Sequence, residues 1–284
     1  MKPIVYCNGE FIEEQSAKVS IFDRGFLFGD GVYEVVPVVN GKLIDKVEFL
    51  QRLESSLYEL ELEWPFSQIE YVAMLETLIE RNKLVEGSVY TQVTRGVAPR
   101  DFAFPDNTPT TCIAFTSDKS FLNSPLSVTG VEVVTVEDLR WKRRDIKSIA
   151  LLAQCLAKQE SRRQGCYESW MLEDGFITEG SSSTAYIVKN NTIITRPKSN
   201  DVLPGIRRHV LLELAADKGI AVELRAFTLD EVLVADEAFL SSATTLVLPV
   251  VKIDGKPIGN GKPGSMTLKL RQFYVDRIKT QAGL

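Results

Sequence analysis

Four dipeptides set between apolar runs do most to limit what this 284-residue chain can fold into. Asn8-Gly9 separates PIVYC from EFI, Asn40-Gly41 separates VYEVVPVV from KLI, Asp174-Gly175 separates YESWML from FIT, and Asn190-Asn191 separates TAYIVK from TIITR. Asn, Asp and Gly tolerate the positive φ of the tight turns that join antiparallel strands, so each dipeptide predicts a hairpin.

Helices interrupt these hairpins. Val47, Leu50, Leu53, Leu57 and Leu60 keep helical spacing, and a second helical pattern covers about 68–82. Strands return in SVYTQVTR (88–95) and TTCIAFT (110–116), and periodicity is then lost in the polar, proline-bearing DKSFLNSPLS. The chain therefore reads as α+β with two domains: a small N-terminal α/β domain over 1–119, a linker over 120–126, and a larger strand-rich domain over 127–284. In the second, 131–136 is strand-like, Ser148 is a candidate cap for a helix reaching Gln164 before Gly165, and a helix covers about 206–218. AFLSSA and LPVVKI read as late strands, and a helix over 267–279 closes the chain.

Composition narrows function. With 44% hydrophobic and 25% charged residues the chain matches a soluble globular protein, and it lacks both a signal-peptide apolar region and a run of roughly 20 apolar residues, so a cytoplasmic location is expected. The four cysteines form no C-x-x-C pair, and a net charge of −5 argues against a protein built to coat nucleic acid or an anionic membrane. His209 is the single histidine, which excludes a His-rich zinc site. It lies four residues before Glu213, the spacing of a surface ion pair on a helix.

Three segments could carry chemistry. RWKRRDIKS (140–148) places five basic residues in nine positions, which reads either as a solvated basic face, with a nucleic-acid patch as its functional variant, or as the setting of one special lysine. Lys147 stands at the joint between strand-like and helical segments, where Arg143 and Arg144, if aimed at it, would favour the neutral, nucleophilic amine. TEGSSS (178–183) is a turn-forming run holding a carboxylate, either a plain hairpin loop or a fixed acceptor for a cationic ring nitrogen. In FGDGVYEV the glycines Gly29 and Gly31 allow a tight turn, and a lone G-x-G is weak evidence for phosphate binding.

Read in order, DRGFLFGDGVYEV (23–35), Arg52, TRGVAPRDFAFP (94–105), RWKRRDIKS, TEGSSS and LPGIRR (203–208) resemble the fold-type IV pyridoxal-phosphate enzymes, the class IV aminotransferases. Tyr33-Glu34-Val35 stands where branched-chain aminotransferases show Phe-Glu-Gly and aminodeoxychorismate lyases Phe-x-Thr, so the likeness is greatest to the D-amino-acid aminotransferase branch.

That resemblance implies a two-domain fold-type IV architecture, pyridoxal 5′-phosphate as cofactor, and ping-pong transfer of an amino group from a D-amino acid such as D-alanine to a 2-oxo acid, 2-oxoglutarate or pyruvate. An (R)-selective amine transaminase and an aminodeoxychorismate lyase are the alternatives on the same fold. It implies a homodimer, and small molecules rather than nucleic acid or membrane as partners. Lys147 would hold the cofactor covalently and move the substrate Cα proton, and Glu179 would face the pyridine nitrogen. Arg52, the helix start at Ile206 and Arg207, and a turn at Ser242 and Ala243 would bind the phosphate. Threonine is common in the family at Arg207 and Ala243, so only backbone contributions carry over there. Tyr33 and Arg100 would receive the substrate carboxylate. Here the pattern departs: the family's Arg-x-His is Arg100-Asp101-Phe102 in this chain, and Phe102 cannot donate a hydrogen bond. Thr184 and Ala150 also replace asparagines of the pattern.

Overall fold

A computed structural model describes residues 2–284, which divide into two compact units. The first comprises residues 2–120 together with Ile146–Ala150 and Ile278–Leu284, and the second Phe121–Asp145 and Leu151–Arg277. Lys147 therefore belongs with the first unit although it lies well beyond residue 120 in sequence.

The first unit is built on strands β1 (Ile4–Cys7), β2 (Glu10–Glu13), β3 (Gly31–Val39), β4 (Lys42–Leu43), β5 (Glu86–Thr94) and β6 (Thr111–Asp118), with helices α1 (Arg24–Phe28), α2 (Lys46–Glu59) and α3 (Gln68–Asn82). The strands form one antiparallel sheet in the order β2-β1-β6-β5-β3-β4. Asn8-Gly9 and Asn40-Gly41 take φ of 47° and 98°, and 52° and 71°, as hairpin turns require. Helix α3 spans the predicted residues because Ser67 and Glu70 form a reciprocal capping box at its start. The buried face of α2 is Phe49, Leu53, Ser56 and Leu57, whereas Val47 is exposed. The apolar spacing finds the helix but places its face slightly off, since Ser56 is among the residues turned inward.

The second unit holds α4 (Leu126–Thr129), β7 (Val131–Glu137), α5 (Leu152–Arg163), β8 (Glu168–Glu173), β9 (Phe176–Gly180), β10 (Thr184–Lys189), β11 (Thr192–Thr195), α6 (Ile206–Asp217), β12 (Val222–Leu224), α7 (Leu229–Leu233), β13 (Glu237–Ser242), β14 (Leu246–Ile253) and β15 (Lys256–Pro257). Helix α8 (Ser265–Ala282) ends among residues of the first unit. The nine strands form one mixed sheet, β12-β11-β10-β13-β14-β7-β8-β9 with β15 on β14. Strands β7 and β8 run parallel across the α5 crossover, while the Asp174-Gly175 and Asn190-Asn191 turns close antiparallel hairpins. Val133, Trp170, Ile177, Leu240 and Val250 lie at the centre of an apolar core.

One boundary differs from expectation. Ser148 does not cap a helix; α5 begins at Leu152 with no side-chain cap. Residues 147–149 instead extend along the start of β3: the Tyr33 N–H donates to the Lys147 carbonyl (3.0 Å), and the Ile149 N–H to the Gly31 carbonyl (3.1 Å). The sheet edge outcompetes helix nucleation at Ser148 because these backbone groups find partners at once.

Candidate active site

Four of the five cations in the 140–147 run are bound to carboxylates. Arg140 holds Asp138 and Glu179, Lys142 holds Glu173, Arg143 holds Asp145 (3.0 Å), and Arg144 holds Glu173 (2.7 Å). The run is therefore largely neutralised within the chain and is not a free basic face. It also means that Arg143 and Arg144 are engaged by acidic partners of their own. Lys147 is the exception: among the described residues its Nζ has no carboxylate or hydrogen-bond partner, and it rests 4.1 Å from the centroid of the Tyr33 ring.

The backbone of Lys147 is held on both sides, by the Tyr33 N–H at its carbonyl and by the Ser56 Oγ accepting from its N–H (3.2 Å). The Tyr33 ring stacks on Tyr90 (5.5 Å, 21°), which stacks on Phe115 (4.7 Å, 17°), so neighbouring strands brace the surface beneath the amine. A fixed, unpaired amine against an aromatic face can act as nucleophile or as base. The glycines beside it have structural tasks. Gly29 ends α1 at φ 69°, and a Cβ on Gly31 would lie 2.7 Å from the Val93 carbonyl oxygen. Gly31 thus serves the tight approach of β3 to β5, and Gly29 the turn out of α1.

Arg52 faces β3 from α2. Its Nε and Nη2 donate to the two oxygens of Glu34 at 2.7 and 2.6 Å, with the Glu34 side chain fully buried. This is the bidentate fork geometry of an arginine fixed in direction, with the Glu34 carboxylate across on β3 as a partner.

In the second unit the Glu179 carboxylate is buried near the end of β9. Arg140 Nη1 and the Leu203 N–H (3.1 Å) both donate to its Oε1, and Oε2 has no partner among the described residues. Burial pushes the Glu179 carboxyl up, with the Arg140 charge and these hydrogen bonds opposing that rise. An oxygen without a protein partner, on a carboxylate that is otherwise held in place, suits a ring N–H. Asp138 holds Arg140 in place through paired bonds of 2.9 and 2.7 Å and accepts from Thr178 Oγ1 at 2.6 Å.

Burial would push the Asp138 carboxyl up, but the Arg140 hydrogen bonds and charge outweigh it, and the net shift is downward. A lowered carboxyl contributes stability above its unfolded value, about pH 3.9, which is lost as pH falls through the lower folded value. We expect Asp138→Asn to be less stable than wild type at pH 7, with the gap narrowing as pH falls below the unfolded carboxyl value. Urea unfolding across a descending pH series checks this, and a gap that stays constant through the series would refute the linkage.

The α6 start presents backbone N–H groups with no side-chain cap at Gly205, where a Cβ would lie 2.8 Å from Thr184 Oγ1. Ile206 and Arg207 are buried there, and the Arg207 guanidinium lies 5.5 Å from the Tyr274 ring centroid. Ser242 and Ala243 stand at the β13 to β14 turn, where Ser242 Oγ is 2.8 Å from Thr245 Oγ1 and Arg271 donates to the Thr245 and Val247 carbonyls. An unpaired amine, an acceptor oxygen without a protein partner and an uncapped helix start each fit one function of a phosphorylated pyridine aldehyde. Among the described residues no cluster of His, Cys, Asp or Glu could hold a metal ion, and no helix is long and apolar enough to cross a membrane.

Arg100 and Phe102 lie on the exposed loop after β5. Arg100 makes no hydrogen bond or ion pair among the described residues, and Phe102 is 79% exposed with its ring 5.6 Å from the Arg100 guanidinium. Asp101 does not bring its charge to the Arg100 head, since its Oδ1 accepts the Ala103 N–H in a local turn. His209, read as a surface ion pair, lies 3.3 Å from Glu213 with both side chains nearly half exposed.

Several residues of these clusters escape a reading of the sequence. Glu34, Ser56, Asp138 and Arg140 gain their roles from partners elsewhere in the fold, Glu34 from a helix 18 positions on and Ser56 from a residue 91 positions away. Only Arg140 carries a signal, because it opens the same basic run as Lys147.

Comparison with known proteins identifies the family. Residues 31–253 match the amino-transferase class IV family. A D-alanine aminotransferase of Staphylococcus aureus (strain N315) is 39% identical over 280 residues, covering 98% of this chain and 99% of that protein. Among solved structures, the branched-chain amino acid aminotransferase of Escherichia coli superposes with a TM-score of 0.92 at 22% identity, covering 99% of this chain and 96% of that one. The T.th. branched-chain amino acid aminotransferase, solved with pyridoxamine 5′-phosphate, gives a TM-score of 0.91 at 23% identity, with coverages of 100% and 95%. Since the family match spans most of the chain and the sequence relative nearly all of it, this protein belongs to the class IV aminotransferases.

Proposed function

We propose that the protein is a pyridoxal-phosphate-dependent transaminase that takes the amino group of a D-amino acid such as D-alanine and gives it to a 2-oxo acid, 2-oxoglutarate or pyruvate, by a ping-pong cycle. The observation that carries this reading is the near full-length identity of 39% with a D-alanine aminotransferase. When bound, the cofactor supplies an electron sink for the charge left at the substrate Cα. Lys147 holds it covalently and moves the Cα proton through Nζ, the amine that no carboxylate engages. Glu179, whose Oε1 is held by Arg140 and Leu203, would accept a hydrogen bond from the cofactor's ring nitrogen and keep it protonated. Arg52, the backbone at Ile206 and Arg207, and the turn at Ser242 and Ala243 bind the phosphate, and Tyr33 and Arg100 receive the substrate carboxylate. The protein acts as a cytoplasmic homodimer.

The test is the absorbance spectrum of the purified protein before and after addition of D-alanine, and separately of L-alanine. We expect the cofactor band to be lost with D-alanine and retained with L-alanine. Loss with L-alanine alone would overturn the handedness, and no cofactor band, even after pyridoxal phosphate is added, would overturn the enzyme. The apolar Phe102 beside Arg100 favours a second reading, an (R)-selective amine transaminase. Turnover of (R)-1-phenylethylamine without turnover of D-alanine would replace the first reading with it.

A further inference from the structure

The Arg100 loop is the exposed end of an alternating stack of three guanidinium groups and three phenyl rings. From its buried end, Arg95 lies 3.5 Å from the Phe104 centroid, Arg24 lies 5.9 Å from Phe104 and 4.7 Å from Phe28, and Arg100 lies 5.5 Å from Phe28 and 5.6 Å from Phe102. Each contact is within the range where a cation is attracted to a ring face. Asp30 is the counter-charge at the buried end, accepting from Arg24 Nε at 2.7 Å and from Arg95 Nε and Nη2 at 2.8 and 3.0 Å. Arg100, at the other end, has no acidic partner among the described residues.

Arg24 also fixes the backbone of the loop. Its Nη1 donates to the carbonyls of Asp101 (2.6 Å) and Ala103 (3.2 Å), and its Nη2 to that of Phe102 (3.4 Å). With its side chain 3% exposed, one arginine thus fixes the three residues that follow Arg100 and supports Phe28, one of the two rings beside the Arg100 guanidinium. Arg95 secures the base through the carbonyls of Leu60 and Glu61. The free cation is therefore preorganised: its hydrogen-bond donors remain for a ligand, and the surplus of positive charge in the stack favours an anion.

We propose that Arg24 is a positioning residue for carboxylate recognition, acting through the loop backbone and the Phe28 ring, and that Phe28 and Phe102 orient Arg100 by cation–π contact in place of a hydrogen-bonding neighbour. This rests on the reading that Arg100 receives the substrate carboxylate. Arg24 does not touch the substrate, and its removal affects binding more than turnover.

The test uses holoenzyme with D-alanine as donor and propionate, which has the carboxylate but no amino group, as competitive inhibitor. Arg24→Lys keeps a charge beside Asp30 but loses the fork that reaches three carbonyls. We expect it to raise KM for D-alanine and Ki for propionate about tenfold, the effect of losing roughly one net hydrogen bond, with kcat within about twofold of wild type. Phe102→Leu, at an exposed position where folding is not at stake, should raise both constants about two- to fivefold through loss of the ring face. In an Arg100→Met background neither substitution should add to the effect, because both act through Arg100. If Arg100→Met alone leaves KM and Ki unchanged, the carboxylate reading falls and this inference with it. If Arg100→Met raises them while Arg24→Lys lowers only thermal stability, or adds fully to Arg100→Met, the inference falls and the carboxylate reading stands.

Discussion

Lys147→Ala will keep its fold and lose its activity. The Nζ of Lys147 makes no hydrogen bond or ion pair among the described residues, so removing it breaks only the contact with the Tyr33 ring. A cation–π contact contributes about 0.5 to 1 kcal/mol at a partly exposed site, which bounds the loss of stability. Backbone bonds to Tyr33 and Ser56 survive the substitution because they use the peptide groups. Activity has no such protection. On the proposed role of Lys147, loss of the group that moves the proton costs about 10²- to 10⁴-fold, and the covalent attachment of the cofactor goes with it. Steady-state assay with D-alanine and 2-oxoglutarate, together with urea unfolding, measures the two effects separately. A variant retaining wild-type turnover and the wild-type absorbance band would remove Lys147 from the mechanism, and a large loss of stability would show that its amine has a structural partner.

How Lys147 stands out shows what a sequence can and cannot display. The hairpin turns at Asn8-Gly9, Asn40-Gly41, Asp174-Gly175 and Asn190-Asn191 are visible because positive φ restricts residue choice locally. The α3 boundaries are visible for a similar reason, since Ser67 and Glu70 cap within one turn. The RWKRRDIKS run is harder. Locally its cations look alike, and only the placement of Asp138, Asp145, Glu173 and Glu179 separates the paired from the unpaired one. Those carboxylates reach the run from within it, from just before it, and from β8 and β9, and no local periodicity encodes that convergence. Ordered motifs along the whole chain are sufficient to suggest the family without this geometry. The direction of Arg52 toward Glu34, and the stack below Arg100, lie beyond reach because each joins elements distant in sequence.

The departures from expectation have the same source. Ser148 has the chemistry of a helix cap, yet its neighbours satisfy the β3 backbone and the helix waits until Leu152. Ser56 has a polar side chain on an apolar helix, which spacing assigns to solvent, yet its hydroxyl is needed indoors by the Lys147 N–H. In each case a long-range hydrogen bond decides between two locally acceptable structures.

Our proposal gives Arg52 a ligand-binding role beside its structural one, and the two can be separated by measuring the protein with and without cofactor. Its Nε and Nη2 hold both oxygens of the fully buried Glu34 carboxylate. Arg52→Met leaves that carboxylate without its bidentate partner, and breaking a buried pair from one side costs about 3 to 5 kcal/mol. Replacing both partners, as in Glu34→Leu with Arg52→Met, removes the uncompensated charge and should recover most of that loss. The double variant therefore keeps a stable apoprotein from which the guanidinium is absent. If Arg52 also binds the phosphate, adding pyridoxal phosphate will stabilise wild-type apoprotein by an amount that grows with ligand over Kd, about 2.7 kcal/mol at roughly a hundredfold excess, and will stabilise the double variant far less. Loss of a charge-assisted bond of about 1.5 to 3 kcal/mol corresponds to roughly 10- to 100-fold weaker binding. Chemical unfolding of apoprotein across a pyridoxal phosphate series gives both quantities. Equal stabilisation of wild type and double variant would confine Arg52 to its pair with Glu34, and the phosphate would then rest on the α6 N–H groups and the Ser242 turn alone.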